Sequence, residues 1–358
     1  MRFLLILMCD LTSPHILQTA AGYFFDNSWT CGYRAVQPVN NMISALTLKV
    51  RTICFYRTLF FCISQVLPTC ELFGVIGQPH AMDFFPFAVY THMTSKPRKP
   101  LVVVFAGDTG VGKSTFERAL RARVLFNTID ARGVTVINGA DYSNPLLISL
   151  NRASIRARVA DAVKLCSRSL IIIDEIHLMA PTTLDDISDF LSSNQPVHYY
   201  VNSATKLIDV SKSIFIFTTN TGAAAIADAN RSNISGLVTA MRDEFVWFSR
   251  RLDVSLFIPF LPITIGTAIE YVKILLQTSN CRTRAKYEIL WSENVPAFVV
   301  SKMNPSYAGV LVNGLSQIEN FVGLSVCMVV DAFHTQKNGS RYVVQIEQNR
   351  ILVQQVYT

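Results

Sequence analysis

The stretch LVVVFAGDTGVGKSTFERAL, residues 101–120, carries the pattern that decides the fold of this chain. It matches the phosphate-binding pattern G-x-x-x-x-G-K-[ST], whose fixed positions are Gly107, Gly112, Lys113 and Ser114. An apolar, β-branched run precedes this loop, and a helix-forming run without breakers follows it. A strand and a helix on either side disfavour an ordinary glycine turn without a ligand. The sequence therefore predicts a P-loop.

The chemistry of such a loop follows from its residue types. Glycines let the backbone turn its N–H groups toward one centre, where the positive end of the helix dipole also acts on an anion. Lys113 is expected to reach the β- and γ-phosphates of a nucleotide, and the Ser114 hydroxyl to ligate Mg²⁺. The nucleotide-binding set predicted for this segment is Gly107, Asp108, Thr109, Gly110, Val111, Gly112, Lys113, Ser114 and Thr115.

A second motif consists of four apolar residues, 170–173, followed by Asp174 and Glu175. This order is typical of a buried strand that delivers acidic groups to the carboxyl edge of a sheet. Asp174 is expected to hold the Mg²⁺ shell, and Glu175 to polarise the attacking water as a general base. A strand followed by a helix cap explains an isolated string of this kind as well, but the P-loop upstream favours the functional interpretation.

A third strand is predicted at residues 213–217, and it leads into the polar run TTNTG. Asn220 in this run is the candidate for orienting the water or contacting the γ-phosphate, and the alternative is a turn or cap residue. Further elements are a strand at 133–138 and a helix at 152–167. The alternation of strands and helices favours an α/β fold with a parallel, doubly wound sheet.

Composition narrows the class of protein. The 358 residues are 50% hydrophobic, which excludes a disordered chain. The formal net charge is +7, but the basic residues are scattered, so a nucleic-acid partner is not indicated. None of the eight cysteines forms a C-x-x-C pair, so zinc and thioredoxin-like sites are unsupported. The sequence does not decide whether the cysteines form disulfides or are buried free thiols.

The N-terminal part carries little recognisable chemistry. Residues 1–21 resemble a weak signal peptide whose apolar run is interrupted by Asp10. Residues 22–71 form an uncharacterised apolar region, and the apolar segment at 53–67 is short for a membrane span and better suited to a surface or packed helix. The nucleotide-binding domain is expected to begin at residue 72.

Five segments together point to one family. They are LFGVIGQPHA (72–81), SKPRKPLVVVFAGDTGVGKS (95–114), SRSLIIIDEIHLM (167–179), SIFIFTTNTGA (213–223) and VSLFIPFLPIT (254–264). These segments resemble torsins, the endoplasmic-reticulum members of the AAA+ ATPases, which are close to the Clp-type unfoldases. The P-loop and the acid pair are general to many ATPases, whereas FIPFLP at 257–262 is more specific.

The resemblance implies an ATP hydrolase with Mg²⁺ as its metal. It implies an AAA+ α/β domain over 72–262 and a small helical subdomain over 263–323. By position, Val75 and Ile76 would touch the adenine, and Asn220 would be the first sensor. The alternating tail, 324–358, lies beyond the resemblance and is predicted to be β-hairpin-like.

The chain also departs from the torsin pattern. Torsins typically carry Gly-Cys-Lys at the second sensor, where this chain has Gly314, Leu315 and Ser316 and therefore no cation. The P-loop ends in Lys-Ser, where torsins commonly have Lys-Asn. No arginine stands at the position expected for an arginine finger; Arg250 and Arg251 lie just upstream of it. Torsins receive their arginine finger from a membrane-anchored activator with a luminal domain. For this chain, an activator of that kind is preferred over Arg251 as the source of the finger.

The leading expectation is thus a torsin-like ATPase that remodels protein or membrane-protein clients in the endoplasmic reticulum lumen or nuclear envelope. It would act as a homo- or hetero-oligomer with an activator, and without nucleic acid. One alternative is a cytosolic Clp-like unfoldase or chaperone, and another is a nucleotide-dependent scaffold with little hydrolysis. The sequons at Asn230, Asn233 and Asn338 matter only for a luminal chain.

Overall fold

The computed structural model describes most of the chain after its N-terminal region. The described residues are 75–121, 133–192, 196–201, 204–223, 226, 234–248, 252–277, 288–303, 309–311, 314–336 and 341–356. Several expectations fall outside these ranges, namely the signal peptide (1–21), the region before residue 72, the three sequons, Arg250 and Arg251. They stay predictions.

The chain divides into two compact units. The first extends to Ala106 and continues over Lys113–Pro259, while the second combines Gly107–Gly112 with Phe260–Thr358. The glycine loop thus groups with the C-terminal part of the chain, although the strand before it and the helix after it belong to the first unit.

Seven strands are described in the first unit. They are β1 (Leu101–Ala106), β2 (Val134–Asn138), β3 (Leu170–Asp174), β4 (Val197–Val201), β5 (Ala204–Ile208), β6 (Ile214–Thr219) and β7 (Leu256–Pro259). Five of them form a sheet in the order β2-β3-β6-β1-β7, and every pair in it is parallel. β4 and β5 pair separately as an antiparallel hairpin. The predicted α/β fold with a parallel sheet is confirmed.

The central strands are apolar along their whole length because both of their faces are buried. Every residue of β1 and β6 is buried, and β3 is buried up to the half-buried Asp174 at its end. The crossing order of the strands places the ends of β3 and β6 side by side, with Ile173 opposite Phe217. Polar residues that follow these two strands therefore meet at one edge of the sheet.

The helices described in the first unit are α1 (Pro79–Thr94), α2 (Lys113–Ala119), α3 (Ile148–Leu165), α4 (Pro181–Ser192) and α5 (Ile234–Phe248). Short 3-10 turns lie at Gly139–Tyr142, Pro145–Leu147 and Ile176–Leu178. α3 begins four residues before its predicted start, because the Asn144 side chain accepts from the Leu146 N–H and caps the turn that leads into it.

Three phenylalanines join α1, β1 and α2 in the core. Phe85, Phe105 and Phe116 are fully buried, and their ring centroids lie 5.3 to 5.7 Å apart in edge-to-face geometry. The last strand residues before the P-loop and the helix after it are thereby fixed to each other through one aromatic cluster.

The second unit contains α6 (Ile265–Gln277), α7 (Val295–Ser301), α8 (Ser316–Val322) and α9 (Met328–Gln336), with a π-helical turn at Gly323–Cys327. Its strands β8 (Glu288–Trp291), β9 (Arg341–Glu347) and β10 (Arg350–Val356) form a sheet in the order β10-β9-β8. β9 and β10 are antiparallel and joined at Gln348 and Asn349, whose φ angles of 48° and 62° fit a two-residue hairpin turn.

The expectation for the tail was wrong in its first half. A β-hairpin-like tail was predicted from residue 324 onward, but the chain is helical up to Gln336 and the hairpin occupies only β9 and β10. Short apolar runs with mixed polarity fit both a helix and a strand, and here the burial of Val326 and Val330, four residues apart, matches one helix face.

Two cysteines are in a defined redox state. Cys166 at the end of α3 and Cys327 in the π-helical turn are each disulfide-bonded. Of the two alternatives left by the sequence, disulfide and free thiol, the structure shows the disulfide for these two residues.

Within the described ranges, none of the helices combines the length and the apolar character that a membrane crossing requires.

Candidate active site

The P-loop adopts a backbone shape that depends on its glycines. The φ angles of Gly107, Gly110 and Gly112 are 154°, 72° and 106°, all in the region that side chains disfavour. A Cβ atom on Gly107 would lie 2.5 Å from the Phe260 carbonyl oxygen. The glycines thus form a cradle without side chains, and this is the geometry that lets backbone N–H groups approach phosphate oxygens.

The exposed tip of the loop is stabilised locally. The Asp108 carboxylate accepts from the Thr109 N–H at 2.7 Å, and both residues are exposed. Val111 is buried, whereas Gly110 and Gly112 on either side of it are partly accessible. The donor set and the absence of side chains from the cradle fit a phosphate group.

Asp174 and Glu175 lie at the end of β3 and are tied to β6 through one hydroxyl group. The Thr218 hydroxyl donates to Asp174 Oδ1 and accepts from the Glu175 N–H at 2.9 Å. Glu175 has a left-handed φ of 53°, which is uncommon outside glycine and frequent at functional sites. The Thr218 hydroxyl therefore links the Asp174 side chain to the main chain of Glu175.

The turn at Glu175 packs against a glycine, Gly139, where a side chain would not fit. A Cβ atom on Gly139, which follows β2, would lie 2.4 Å from the Glu175 carbonyl oxygen. The 3-10 turn after β2 and the turn after β3 thus approach each other through their main chains. Sequence reasoning missed both Gly139 and Thr218, because their roles depend on the pairing of β2, β3 and β6.

Lys113 and Asn220 are brought together from different elements. Lys113 begins α2, Asn220 follows β6, and the Lys113 ammonium donates to Asn220 Oδ1 at 3.0 Å. The Asn220 carbonyl also accepts from the Ala223 N–H, so this residue both forms a turn and presents its side chain to Lys113. The two interpretations of Asn220 are compatible.

The remaining metal-site candidate, Ser114, is exposed next to Lys113, and Thr115 is partly buried behind it. Ser114 offers a hydroxyl and Asp174 a carboxylate, which are the oxygen ligands that Mg²⁺ prefers. Among the described residues, no group of three or more histidine, cysteine or acidic side chains is arranged to hold a metal ion.

The predicted adenine contacts begin the described chain. Val75 is buried, Ile76 is partly buried, and Gly77 has a φ of 77° just before α1. Their role toward adenine stays a prediction.

The structure describes part of the segment around Arg250 and Arg251, the residues nearest to the expected arginine-finger position. Asp253, two residues after Arg251, forms an exposed ion pair with Lys99. Arg250 and Arg251 lie outside the described residues.

Glu117 is a further acidic residue that sequence reasoning missed. It is 4% exposed on α2 and accepts from Arg121 at 3.2 Å, one helix turn onward. Burial raises the pKa of Glu117, and the negative charge of Asp174 raises it further, while Arg121 opposes both. The signal in the sequence was a Glu-Arg pair at i and i+4, which normally indicates an exposed helix face.

We predict that Glu117→Gln flattens the pH dependence of stability. Since the folded-state pKa lies above the ordinary 4.5, the folded protein binds more protons than the unfolded chain in this window, and the free energy of unfolding falls as the pH rises from 4.5. Glutamine removes that decline. Urea unfolding of both proteins across this pH range, without Mg²⁺, measures the difference.

The matched control is Glu270→Gln, because Glu270 is also paired with a cation on a helix but its side chain is 62% exposed. A wild-type slope retained in Glu117→Gln would contradict the prediction.

Comparisons with known proteins agree with this geometry. The torsin family model matches residues 63–173. A torsin-like protein of Drosophila melanogaster is 31% identical over 156 residues, which are 43% of this chain and 44% of that protein. A torsin-like protein of Caenorhabditis elegans is 28% identical over 163 residues, 43% of this chain and 41% of that protein.

A more distant match is the chaperone protein ClpB 1 of Synechococcus elongatus, 28% identical over 165 residues, which are 43% of this chain and 18% of that protein. The chain thus spans less than half of the length of each torsin-like relative. The family model ends at the last apolar residue before Asp174, and it contains the whole P-loop. Together with the parallel sheet, these matches confirm the resemblance to torsins over the nucleotide-binding region.

Proposed function

We propose that this chain binds ATP with Mg²⁺ and hydrolyses it to remodel protein or membrane-protein clients. The observation that carries this proposal is the polar cluster at the ends of β3 and β6, where Thr218 joins Asp174 to Glu175 and Lys113 contacts Asn220. A cation, two acids and an amide in this order are what phosphoryl transfer to water requires, because that reaction depends on positioning and charge stabilisation.

Each residue has one role in the proposed mechanism. Lys113 places a positive charge on the β- and γ-phosphates, and Asn220 orients the attacking water or the γ-phosphate. Glu175 accepts the proton of that water. Ser114 and Asp174 would hold Mg²⁺, which neutralises phosphate charge when it is bound. The Asp174 carboxylate is oriented for this by the hydroxyl of Thr218.

We place this activity in the endoplasmic reticulum lumen or nuclear envelope. The disulfide-bonded state of Cys166 and Cys327 supports the proposal, since disulfides persist in oxidising compartments and are rare in the cytosol. We further propose that the protein works as an oligomer, with an arginine finger from a membrane-anchored activator. A cytosolic Clp-like unfoldase is the alternative, and it gains no support from these two cysteines.

A nucleotide-dependent scaffold with little hydrolysis is the second candidate function. The specific observation in its favour is that no lysine or arginine occurs at 314–316, where torsins have a cationic second sensor. Such a protein would bind ATP, assemble and release phosphate very slowly.

The decisive experiment measures ATP binding and phosphate release by the full chain, alone and with a membrane-protein fraction. We expect binding by the chain alone and phosphate release that rises strongly with the fraction. An arginine finger supplied in trans is associated with increases on the order of 10³–10⁵. Binding without release under either condition supports the scaffold, rapid release by the chain alone contradicts the borrowed finger, and absence of ATP binding contradicts the whole proposal.

A further inference from the structure

The P-loop is supported by the main chain of two residues of the second unit, Gly314 and Leu315. The Leu315 N–H donates to the Gly110 carbonyl oxygen at 2.9 Å. Gly314 is so close that a Cβ atom on it would lie 2.1 Å from that oxygen and 2.8 Å from the Gly110 Cα atom. Real Cβ atoms essentially never approach main-chain atoms to such distances, so this contact requires glycine.

This hydrogen bond determines the orientation of one peptide group in the loop. Because the peptide group is planar and trans, the carbonyl of Gly110 and the N–H of Val111 point in opposite directions. With the carbonyl held by Leu315, the Val111 N–H is directed away from Leu315. A loop binds an anion only when its N–H groups are aimed in a common direction, so the contact preserves one of these donors in its required orientation.

Gly314 and Leu315 are themselves held in place by burial and by hydrogen bonds to neighbouring residues. Gly314 has a left-handed φ of 58°, and Leu315 is 5% exposed directly before α8. The Leu315 carbonyl accepts from the Glu319 N–H at 3.1 Å, and the Glu319 carboxylate accepts from the Tyr271 hydroxyl of α6. The main-chain donor is therefore fixed to the first turn of α8, which is in turn bonded to α6.

We propose that Gly314 and Leu315 are positioning residues of the nucleotide site, which hold the P-loop in its phosphate-binding shape through their main chains. They directly precede Ser316, the position at which the side-chain cation is missing from this chain. The inference rests on the proposed function, because it assumes that the loop binds ATP.

The contact acts in both directions. If the support of Gly314 and Leu315 favours the loop conformation that binds ATP, bound ATP favours the supported conformation to the same degree. ATP therefore lowers the frequency with which the Leu315 N–H loses its partner, and hydrogen exchange at this amide becomes slower.

The test compares Gly314→Ala with Gly309→Ala in the full chain. Both glycines have a left-handed φ, 58° and 71°, so alanine introduces similar backbone strain at each. A Cβ atom on Gly309 meets nothing within 4 Å, whereas one on Gly314 meets the Gly110 main chain. Gly309→Ala thus controls for strain and isolates the contact with the loop.

We expect Gly314→Ala to weaken the binding of a fluorescent ATP analogue about tenfold or more, as for coupled sites. Gly309→Ala is expected to stay within about twofold of the wild type, as for surface changes. Circular dichroism must show that both variants are folded. Equal affinity of the two folded variants overturns the inference and leaves the proposed function intact, while a wild type that does not bind ATP overturns both.

Hydrogen exchange of the wild type decides the matter even if Gly314→Ala does not fold. Exchange at the Leu315 amide is measured with and without ATP. Slower exchange with ATP supports the inference, and unchanged exchange at saturating ATP contradicts it. A contact that is merely structural would not respond to the nucleotide.

Discussion

Glu175→Gln is expected to stop ATP hydrolysis almost completely while ATP stays bound. Glutamine keeps the size of the side chain and its ability to bind water, but it cannot accept a proton. The loss of a general base lowers turnover by about 10²–10⁴. Glu175 contributes only its main-chain N–H to the hydrogen bond with the Thr218 hydroxyl, so the turn itself should persist in the variant. Phosphate release with the membrane-protein fraction measures turnover, and a fluorescent ATP analogue measures affinity.

The matched control is Glu288→Gln, which makes the same chemical change at an exposed ion pair with Arg341 on the sheet of the second unit. It should hydrolyse ATP like the wild type. Undiminished turnover in Glu175→Gln would remove the general base from the mechanism.

Lys113→Ala is expected to have the second large effect, on affinity. The Lys113 ammonium group donates a hydrogen bond to the side chain of Asn220 at 3.0 Å. Hydrogen bonds to a charged group contribute about 1.5–3 kcal/mol, so ATP affinity should fall about 10- to 100-fold. Isothermal titration with ATP and Mg²⁺ measures the change.

Lys99→Ala is the control for loss of a positive charge, because the Lys99 side chain is 47% exposed in a surface ion pair with Asp253. Such pairs contribute little, and affinity should be unchanged. Equal affinities of the two variants would show that Lys113 does not contact the phosphates.

The site residues that the sequence predicts lie in short, continuous motifs. The glycine loop, the acid pair and Asn220 each follow a strand, and parallel strands bring their carboxyl ends to one edge. In the structure, Asp174 and Glu175 both hydrogen-bond to the Thr218 hydroxyl, and the Lys113 ammonium donates to Asn220. For these residues, local order along the chain and spatial order coincide.

Other features depend on contacts between residues far apart in the sequence. The order of the five strands is not encoded in any one segment, and the contact between Gly110 and Leu315 joins residues about two hundred positions apart. Glu117 was missed because a Glu-Arg pair at i and i+4 looks the same on an exposed face and on a buried one. Only the packing of α2 distinguishes the two cases.

The phenylalanine cluster has a consequence for the rate at which nucleotide is captured. Phe105 lies just before the glycine loop and Phe116 just after it, with their ring centroids 5.3 Å apart. The Phe contact thus fixes both ends of the loop. The entropy that the chain loses when the loop closes is therefore lost during folding and not when the nucleotide binds. A preorganised loop needs no ordering step when its ligand arrives. Association should therefore be limited by diffusion and docking, and its rate should rise in proportion to ATP concentration without a plateau.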